Sequence, residues 1–172
     1  GAFCSGADIH SFDAFKGDPT ARTEFRLAIR KALARLRDLP IPTIAWVEGA
    51  CYGAGVALAM ACDIRIAGGG ARFAITPAKL GISYPQEDVH RLVGLVGRGR
   101  AAWLLFGAQT IDGEEAHRIG LVEAYHAGGA REAVDALAAA ILGNDPASLQ
   151  TLKRGVRLAA RGLPDDGEQG RQ

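Results

Sequence analysis

Hydrophobic positions in the longer segments of the chain recur with the period of an α-helix. After Asp18-Pro19, a capping residue followed by a proline suited to the first helical position, apolar residues fall on one helical face up to Leu36. This helix ends before Pro40, because the residue preceding a proline disfavours helical backbone angles. The same period predicts further helices from about Glu87, over residues 100–106, 113–119 and 131–142, and from Pro146 toward Arg161.

Short runs of β-branched and apolar residues between these segments predict strands. Residues 43–47 form the first run and lead into a glycine-bearing turn, and residues 63–67 alternate polar and apolar side chains. Between the two runs, residues 53–62 are mostly Ala and Gly, which predicts a helix that packs close to its neighbours. Strand, helix and strand make a βαβ-like unit, which indicates an α/β fold. Two more strands are predicted at residues 72–75 and near residues 121–124.

Length and composition indicate one globular domain without a strong charge bias. The chain has 172 residues, of which 48% are hydrophobic, and its 20 Lys and Arg nearly balance its 19 Asp and Glu. This balance argues against nucleic acid as a partner. No apolar run reaches the roughly 18 residues that a membrane span needs, so no membrane partner is expected. Three cysteines without a CxxC pair are typical of a reducing compartment, and we expect the cytoplasm.

Several common kinds of site have no motif in this sequence. The four histidines stand far apart and without paired cysteines, so no metal site is predicted. The patterns GxGxxG, GxxxxGK[ST] and GxSxG are absent, which removes the main support for dinucleotide, P-loop and α/β-hydrolase sites. We therefore expect no metal and no nucleotide cofactor held in these ways.

Two glycine-rich turns are more informative. They span residues 4–9 and 48–55, and the second leads directly into the small-residue helix. N–H groups at a helix N-terminus are unpaired and carry the positive end of the helix dipole, so they suit an oxygen that gains negative charge. Ordinary tight turns have the same composition, and the spacing alone leaves both interpretations open.

Five segments together resemble the core of the crotonase superfamily, the enoyl-CoA hydratase/isomerase family. In chain order they read FCSGADI, PTIAWVEGACYGAGVALAMACD followed by IRIA, then ARF, TPAKLG and AHRIGLV. The resemblance implies an α/β fold whose core, residues 1–125, is a spiral of ββα repeats that lacks the family's N-terminal strands. Residues 126–172 would form a C-terminal helical region with a polar tail.

The resemblance also implies a substrate and the residues that hold it. The substrate would be an acyl-CoA thioester, with coenzyme A as part of the substrate and no separate cofactor. Its carbonyl oxygen would lie between the backbone N–H groups of Ala7 and Ala54, the two catalytic donors. The implied substrate-binding residues are Ser5, Gly6, Asp8, Ile9, His10 and Gly53.

Both glutamates that hold water and move protons in hydratases of this family are missing here. Their positions are taken by Ala57 and, depending on a one-residue choice of alignment, by Pro77 or Ala78. None of these side chains can take or give a proton. Tyr84 and Glu87, in the segment that leads into the next helix, are the catalytic candidates that replace them.

The string TPAKLGISYP with a later histidine also resembles methylmalonyl-CoA decarboxylases of the superfamily. Those enzymes have a tyrosine at the position of Tyr84, and a phenol could hold a carboxylate by a hydrogen bond. They also have histidine where this chain has Ala7. For Asp88 the sequence favours a capping role at the start of the helix, and for Glu87 capping and proton transfer are equally open.

The predicted function is that of an acyl-CoA enzyme in the enoyl-CoA hydratase/isomerase class, which stabilises an enolate-type oxyanion. One alternative is an acyl-CoA decarboxylase of the same superfamily. Another is a truncated, non-catalytic acyl-CoA binder. Relatives usually assemble as trimers or dimers of trimers, so the resemblance implies a homo-trimer or hexamer.

Overall fold

The computed structural model describes residues 1–7 and 17–164. Within these ranges the strands are β1 Ile44–Val47, β2 Ala50–Tyr52, β3 Ile64–Gly68, β4 Arg72–Ala74, β5 Ile111–Asp112 and β6 Ala124–His126. The helices are α1 Pro19–Arg37, α2 Ala54–Ala61, α3 Gln86–Gly107, α4 Gly113–Arg118, α5 Arg131–Leu142 and α6 Pro146–Ala159, and a 3-10 helix spans Pro77–Leu80. The predicted α/β class is confirmed.

The strands form two small sheets that are built from successive ββα repeats. One repeat is β1, β2 and α2, and the next is β3, β4 and α3. The first strands of the repeats pair in parallel, Ile44 opposite Ile64, and the second strands pair in parallel, Ala50 opposite Arg72. β6 joins the first sheet beside β3, and β5 joins the second beside β4. This arrangement confirms the predicted ββα core and the parallel βαβ-like unit.

The first long helix forms as its local sequence predicts. The Asp18 carboxylate accepts hydrogen bonds from the N–H groups of Thr20 and Ala21, at 3.0 Å each, and so caps α1. Leu33 is buried on the inner face of α1 and packs with Ala57 of α2 in a small apolar cluster. α1 thereby covers the helix that follows the second glycine-rich turn.

The main core lies between the two sheets and the helices α2, α3 and α4. Its largest fully buried side chains include Phe73, Leu92, Leu104 and Leu121. Six of the eight residues of α2 are buried, which requires the small side chains of the sequence AGVALAMA. α2 is therefore held rigidly on all sides.

Two sequence-based predictions differ from the structure. The turn at residues 48–55 contains the strand β2, because residues 50–52 pair with β4. The last strand begins at Ala124 rather than near residue 121, since Leu121 and Val122 are buried in the core ahead of it. The separate helix predicted over residues 100–106 is confirmed as the second part of α3, because non-helical backbone angles at Gly97, φ 75° and ψ 163°, divide α3 in two.

A buried lysine of the C-terminal helix α6 binds the segment that leads into β1. The buried Lys153 Nζ donates to the Ile41 carbonyl oxygen and pairs with the Asp63 carboxylate, both at 2.8 Å. The same carboxylate accepts from the backbone N–H of Thr43 at 2.7 Å. The division into a core of residues 1–125 and a helical region of residues 126–172 stays a prediction. Among the described helices, none combines the length and apolar character needed to cross a membrane.

Candidate active site

The two glycine-rich turns lie side by side because their backbones pair at Cys4 and Cys51. Cys4 and Cys51 form a parallel β-bridge, in which Cys4 N–H donates to Ala50 O and Tyr52 N–H donates to Cys4 O, each at 2.9 Å. Ala7 stands three residues after Cys4, and Ala54 stands three residues after Cys51. The two alanines therefore follow the bridge at the same offset, on the same end of the paired backbones.

The two turns remain in contact beyond the bridge. A Cβ atom built on Gly6 would lie 3.2 Å from the carbonyl oxygen of Tyr52. A Cβ on Gly55 would lie 2.4 Å from the carbonyl oxygen of Cys4. The backbones thus approach each other more closely than larger side chains would allow.

The N–H groups of Ala7 and Ala54 both lack a partner within the described ranges. Ala54 is the first residue of α2, where an N–H has no partner inside the helix. Neither N–H donates a hydrogen bond to another described residue, and both alanines are only half-buried. The arrangement can therefore offer two donors, one of them at a helix N-terminus, to an external oxygen.

The backbone of Gly53 determines the direction of the Ala54 N–H. Gly53 has φ 51° and ψ −107°, a combination that side-chain-bearing residues rarely adopt. Its carbonyl oxygen accepts from Val56 N–H at 3.1 Å and from Ala57 N–H at 3.3 Å. Its own N–H donates to Ala74 O at 2.8 Å, so the turn is tied to β4.

Tyr84 reaches this turn from the segment before α3. Its hydroxyl donates to the Gly53 carbonyl oxygen at 3.1 Å. Its ring packs against both apolar clusters of the core. Burial raises the pKa of the Tyr84 phenol well above its usual value, and the nearby Asp88 and Cys51 add to the effect. The phenol therefore stays protonated and remains a hydrogen-bond donor.

Asp88 is a buried carboxyl group in the first turn of α3, and the prediction that it caps this helix is wrong. The N-cap residue is Pro85, and no side chain makes a capping hydrogen bond there. Asp88 is 4% exposed, and its Oδ1 accepts from Arg91 Nη1 at 2.5 Å. Burial raises the pKa of Asp88 from 3.8 to about 6; Glu87 also raises it, and Arg37 lowers it.

Glu87 has a different environment from its neighbour. Its side chain is 40% exposed and pairs with Arg30 at 2.5 Å and with Arg91 at 3.5 Å. The sequence left its capping and proton-transfer roles equally open. The helix start shows no side-chain cap, so Glu87 does not cap α3.

The two positions at which the resemblance implies glutamates in hydratases hold no acid. Ala57 is buried in α2, and Pro77 and Ala78 open the 3-10 helix. Across residues 1–7 and 17–164, no three His, Cys, Asp or Glu side chains come together as a possible metal site.

Of the remaining predicted substrate-binding residues, only some lie within the described ranges. Ser5 is exposed at the first turn. Asp8, Ile9 and His10 lie outside the described residues.

Two curated proteins are similar in sequence to about 70% of this chain. Methylglutaconyl-CoA hydratase, mitochondrial, of Mus musculus is 36% identical over 122 residues, which are 71% of this chain and 38% of that protein. The short-chain-enoyl-CoA hydratase of Clostridium acetobutylicum is 41% identical over 121 residues, which are 70% of this chain and 46% of that protein. The chain thus spans less than half the length of these two curated relatives.

A solved structure covers nearly the whole chain. An enoyl-CoA hydratase/isomerase family protein from Hyphomonas neptunium superposes with a TM-score of 0.91 at 38% identity, over 96% of this chain and 64% of that one. The fold is therefore crotonase-like, as expected. The family model described as enoyl-CoA hydratase/isomerase matches residues 1–167, and the chain belongs to this family.

Proposed function

We propose that this chain binds an acyl-CoA thioester and places its carbonyl oxygen between the N–H groups of Ala7 and Ala54. The observation that carries the proposal is the backbone β-bridge between Cys4 and Cys51, because the two unpaired donors follow it at the same offset on adjacent backbones. When the carbon next to the thioester carbonyl becomes carbanion-like, negative charge moves to this oxygen. Two fixed N–H donors stabilise that charge more than they stabilise the neutral carbonyl, which lowers the barrier.

We further propose that Asp88, rather than Glu87, exchanges the proton with substrate. A general acid or base works best with a pKa near the working pH, and burial moves Asp88 toward it. Asp88 is also close enough to raise the pKa of Tyr84, whose hydroxyl contacts the turn that carries Ala54. Glu87 is more exposed and engaged by two arginines.

The reaction class that we propose is hydration or isomerisation of an enoyl-CoA. The two curated relatives are named as hydratases of short-chain enoyl-CoA and of methylglutaconyl-CoA. Without the glutamate pair, water activation here would depend on Asp88 and on groups outside the described residues. The acyl group stays open within this class.

Decarboxylation of an acyl-CoA is the second candidate. Loss of CO2 from a carbon next to the thioester carbonyl leaves the same enolate, which the two donors would stabilise and which needs one later protonation. In this reaction Tyr84 could hold the departing carboxylate only if its hydroxyl turned away from the Gly53 carbonyl. A non-catalytic acyl-CoA binder is the third candidate, because the standard acids are missing.

Titration calorimetry with acetyl-CoA, and with free CoA as the comparison, tests binding. The same protein is then assayed for hydration of crotonyl-CoA and for CO2 release from methylmalonyl-CoA. Turnover of crotonyl-CoA supports the hydratase proposal, and CO2 release supports the decarboxylase. Binding without either reaction favours the non-catalytic binder. If the folded chain fails to bind acetyl-CoA, the acyl-CoA proposal fails.

A homo-trimer or hexamer in the cytoplasm completes the proposal. The C-terminal part supplies exposed apolar side chains for such an assembly at Leu142, Leu152 and Val156, which are 84%, 65% and 70% exposed. Light scattering at micromolar concentration should give a mass near 54 kDa or its double, as multiples of the 18.0 kDa chain. A monomer mass would contradict this part.

A further inference from the structure

We propose that Tyr84 is a positioning residue, whose hydroxyl holds the Gly53–Ala54 peptide so that the Ala54 N–H keeps pointing at the substrate oxygen. This inference rests on the proposed function and names a role for Tyr84 that involves no contact with substrate. It starts from one contact, the 3.1 Å hydrogen bond from Tyr84 Oη to the Gly53 carbonyl oxygen.

The carbonyl of Gly53 and the N–H of Ala54 belong to the same planar peptide unit. In a trans peptide these two groups point in opposite directions, so fixing the oxygen also fixes the N–H. A hydrogen bond received by the oxygen also polarises the peptide and strengthens its N–H as a donor, by roughly 10–30%. By binding the carbonyl side of the peptide, Tyr84 therefore affects both the direction of the Ala54 N–H and its strength as a hydrogen-bond donor.

Such support matters because glycine restricts backbone rotation less than other residues do. The Gly53 N–H is tied to Ala74 O, but this N–H belongs to the preceding peptide unit and does not fix the Gly53–Ala54 peptide directly. Two N–H groups of α2, from Val56 and Ala57, already contact the oxygen, but both belong to the helix that begins at this peptide. Tyr84 is the contact that arrives from another part of the chain and ties the peptide to the start of α3.

The phenol itself is well restrained. Its ring packs against the cluster of Leu33, Ala57 and Ala61 and against the main core. Burial keeps the pKa of the hydroxyl above its usual value, so the donated proton stays in place at alkaline pH. A phenol has one O–H to donate, and here it is given to the peptide rather than offered to a ligand.

The test compares Tyr84→Phe with Tyr125→Phe. The first variant removes only the hydroxyl at the peptide. The second removes a half-buried phenol in β6, whose ring lies beside Gly113, as a matched control. The probe is cinnamoyl-CoA, a conjugated thioester whose ultraviolet absorption moves to longer wavelength when its carbonyl oxygen is polarised. Calorimetry with acetyl-CoA and with malonyl-CoA measures affinity in parallel.

We expect the wild type and Tyr125→Phe to produce the same red shift. Tyr84→Phe should bind acetyl-CoA within about threefold of the wild type but give a smaller red shift. Turnover in the assay above should fall about tenfold, the equivalent of one net hydrogen bond. A loss in kcat with little change in KM is the expected pattern, because the peptide donor matters most in the transition state.

Two outcomes would overturn the inference. An unchanged red shift in Tyr84→Phe would mean that the peptide is held without the phenol. A selective loss of malonyl-CoA affinity, with acetyl-CoA affinity retained, would mean that Tyr84 binds a substrate carboxylate directly. Failure of the proposed function looks different, since the wild type itself would then neither bind nor shift the probe.

Discussion

The starts of α2 and α3 lie close together, yet they are built in opposite ways. α2 begins after a glycine, contains no polar side chain in the sequence AGVALAMA, and is almost wholly buried. α3 begins after a proline with Gln86, Glu87 and Asp88, and its charged side chains pair with arginines. Tyr84 connects the two starts through its hydrogen bond to Gly53.

This difference separates the two parts of the proposed site. In the proposed function the reactive group at α2 is a backbone N–H, which requires small side chains and close packing around it. The proposed reactive group at α3 is a side chain, and its properties depend on what packs over it. The predictions below test the two helix starts, from the largest expected effect to the smallest.

Removing the backbone donor at α2 should have the largest effect. In Ala54→Pro the ring replaces the N–H at the first helical position, where proline fits because no intrahelical bond is lost. We expect acyl-CoA turnover to fall about 100- to 1000-fold, the usual effect of losing one oxyanion donor. The assay is turnover of the substrate that the wild type converts.

The comparison variant for this test is Ala54→Gly. It removes the side chain and keeps the N–H, so the ratio between the two variants measures the loss of the donor together with the space that the proline ring occupies in front of the substrate oxygen. Equal activity of Ala54→Pro and Ala54→Gly would mean that this N–H does not contact the substrate.

At α3 the buried Asp88 should make the unfolding free energy depend on pH. The pKa of Asp88 is raised from 3.8 to about 6 in the folded state, so between these values the folded chain keeps a proton that the unfolded chain has lost. The stability that this proton provides is complete below pH 4 and is lost as the pH rises through 6. Relative to Asp88→Asn, the wild type should therefore lose up to about 3 kcal/mol of unfolding free energy between pH 4 and pH 7.

Urea unfolding of both proteins at several pH values measures this difference. The charged groups that face Asp88 among the described residues are Arg37 from α1 and Glu87 and Arg91 from α3, and the phenol of Tyr84 beside it is neutral. All of these groups are present in both proteins, so the comparison isolates Asp88. Parallel stability curves would show that Asp88 holds no proton in this range.

The sequence predicts the local structure of α1 and α2 better than the start of α3 because the signals are local. The Asp18 cap acts on N–H groups two and three residues away, and the small residues and glycines around Ala54 are neighbours in sequence. β2 is missed because its pairing partners, Cys4 and β4, are distant in sequence.

Asp88 is misjudged for a related reason. An acid near a helix start is usually solvated, but here the core and the end of α1, which carries Arg37, cover it. One signal was available: Asp88 lies one helical turn before Leu92, which is fully buried, so the two share the inner face of α3. The strand β6 is misplaced because Leu121 and Val122 are apolar for the core rather than for a strand.

Close packing at α2 gives the next prediction. In Gly55→Ala the new methyl group would lie 2.4 Å from the carbonyl oxygen of Cys4, a backbone atom that cannot turn aside. We expect a loss of about 1–3 kcal/mol in unfolding free energy, measured in urea. The matched control is Gly94→Ala in α3, where a Cβ meets nothing within 4 Å and alanine should stabilise by about 0.4–1 kcal/mol. Two variants of equal stability would show that the first glycine-rich turn leaves room for a methyl group at residue 55.

The smallest effect is expected from the exposed acid of α3. Glu87→Gln removes ion pairs to Arg30, whose side chain is 66% exposed, and to Arg91. Exposed pairs contribute about 0.2–1 kcal/mol and are screened by salt, so the loss should be small in dilute buffer and smaller still in 1 M NaCl. Because it keeps Asp88, this variant should lose stability between pH 5 and 7 much as the wild type does, whereas Asp88→Asn should not. A salt-independent loss of about 2 kcal/mol or more would mean that Glu87 is held in the interior with Asp88, and the contrast between the two neighbouring acids would then disappear.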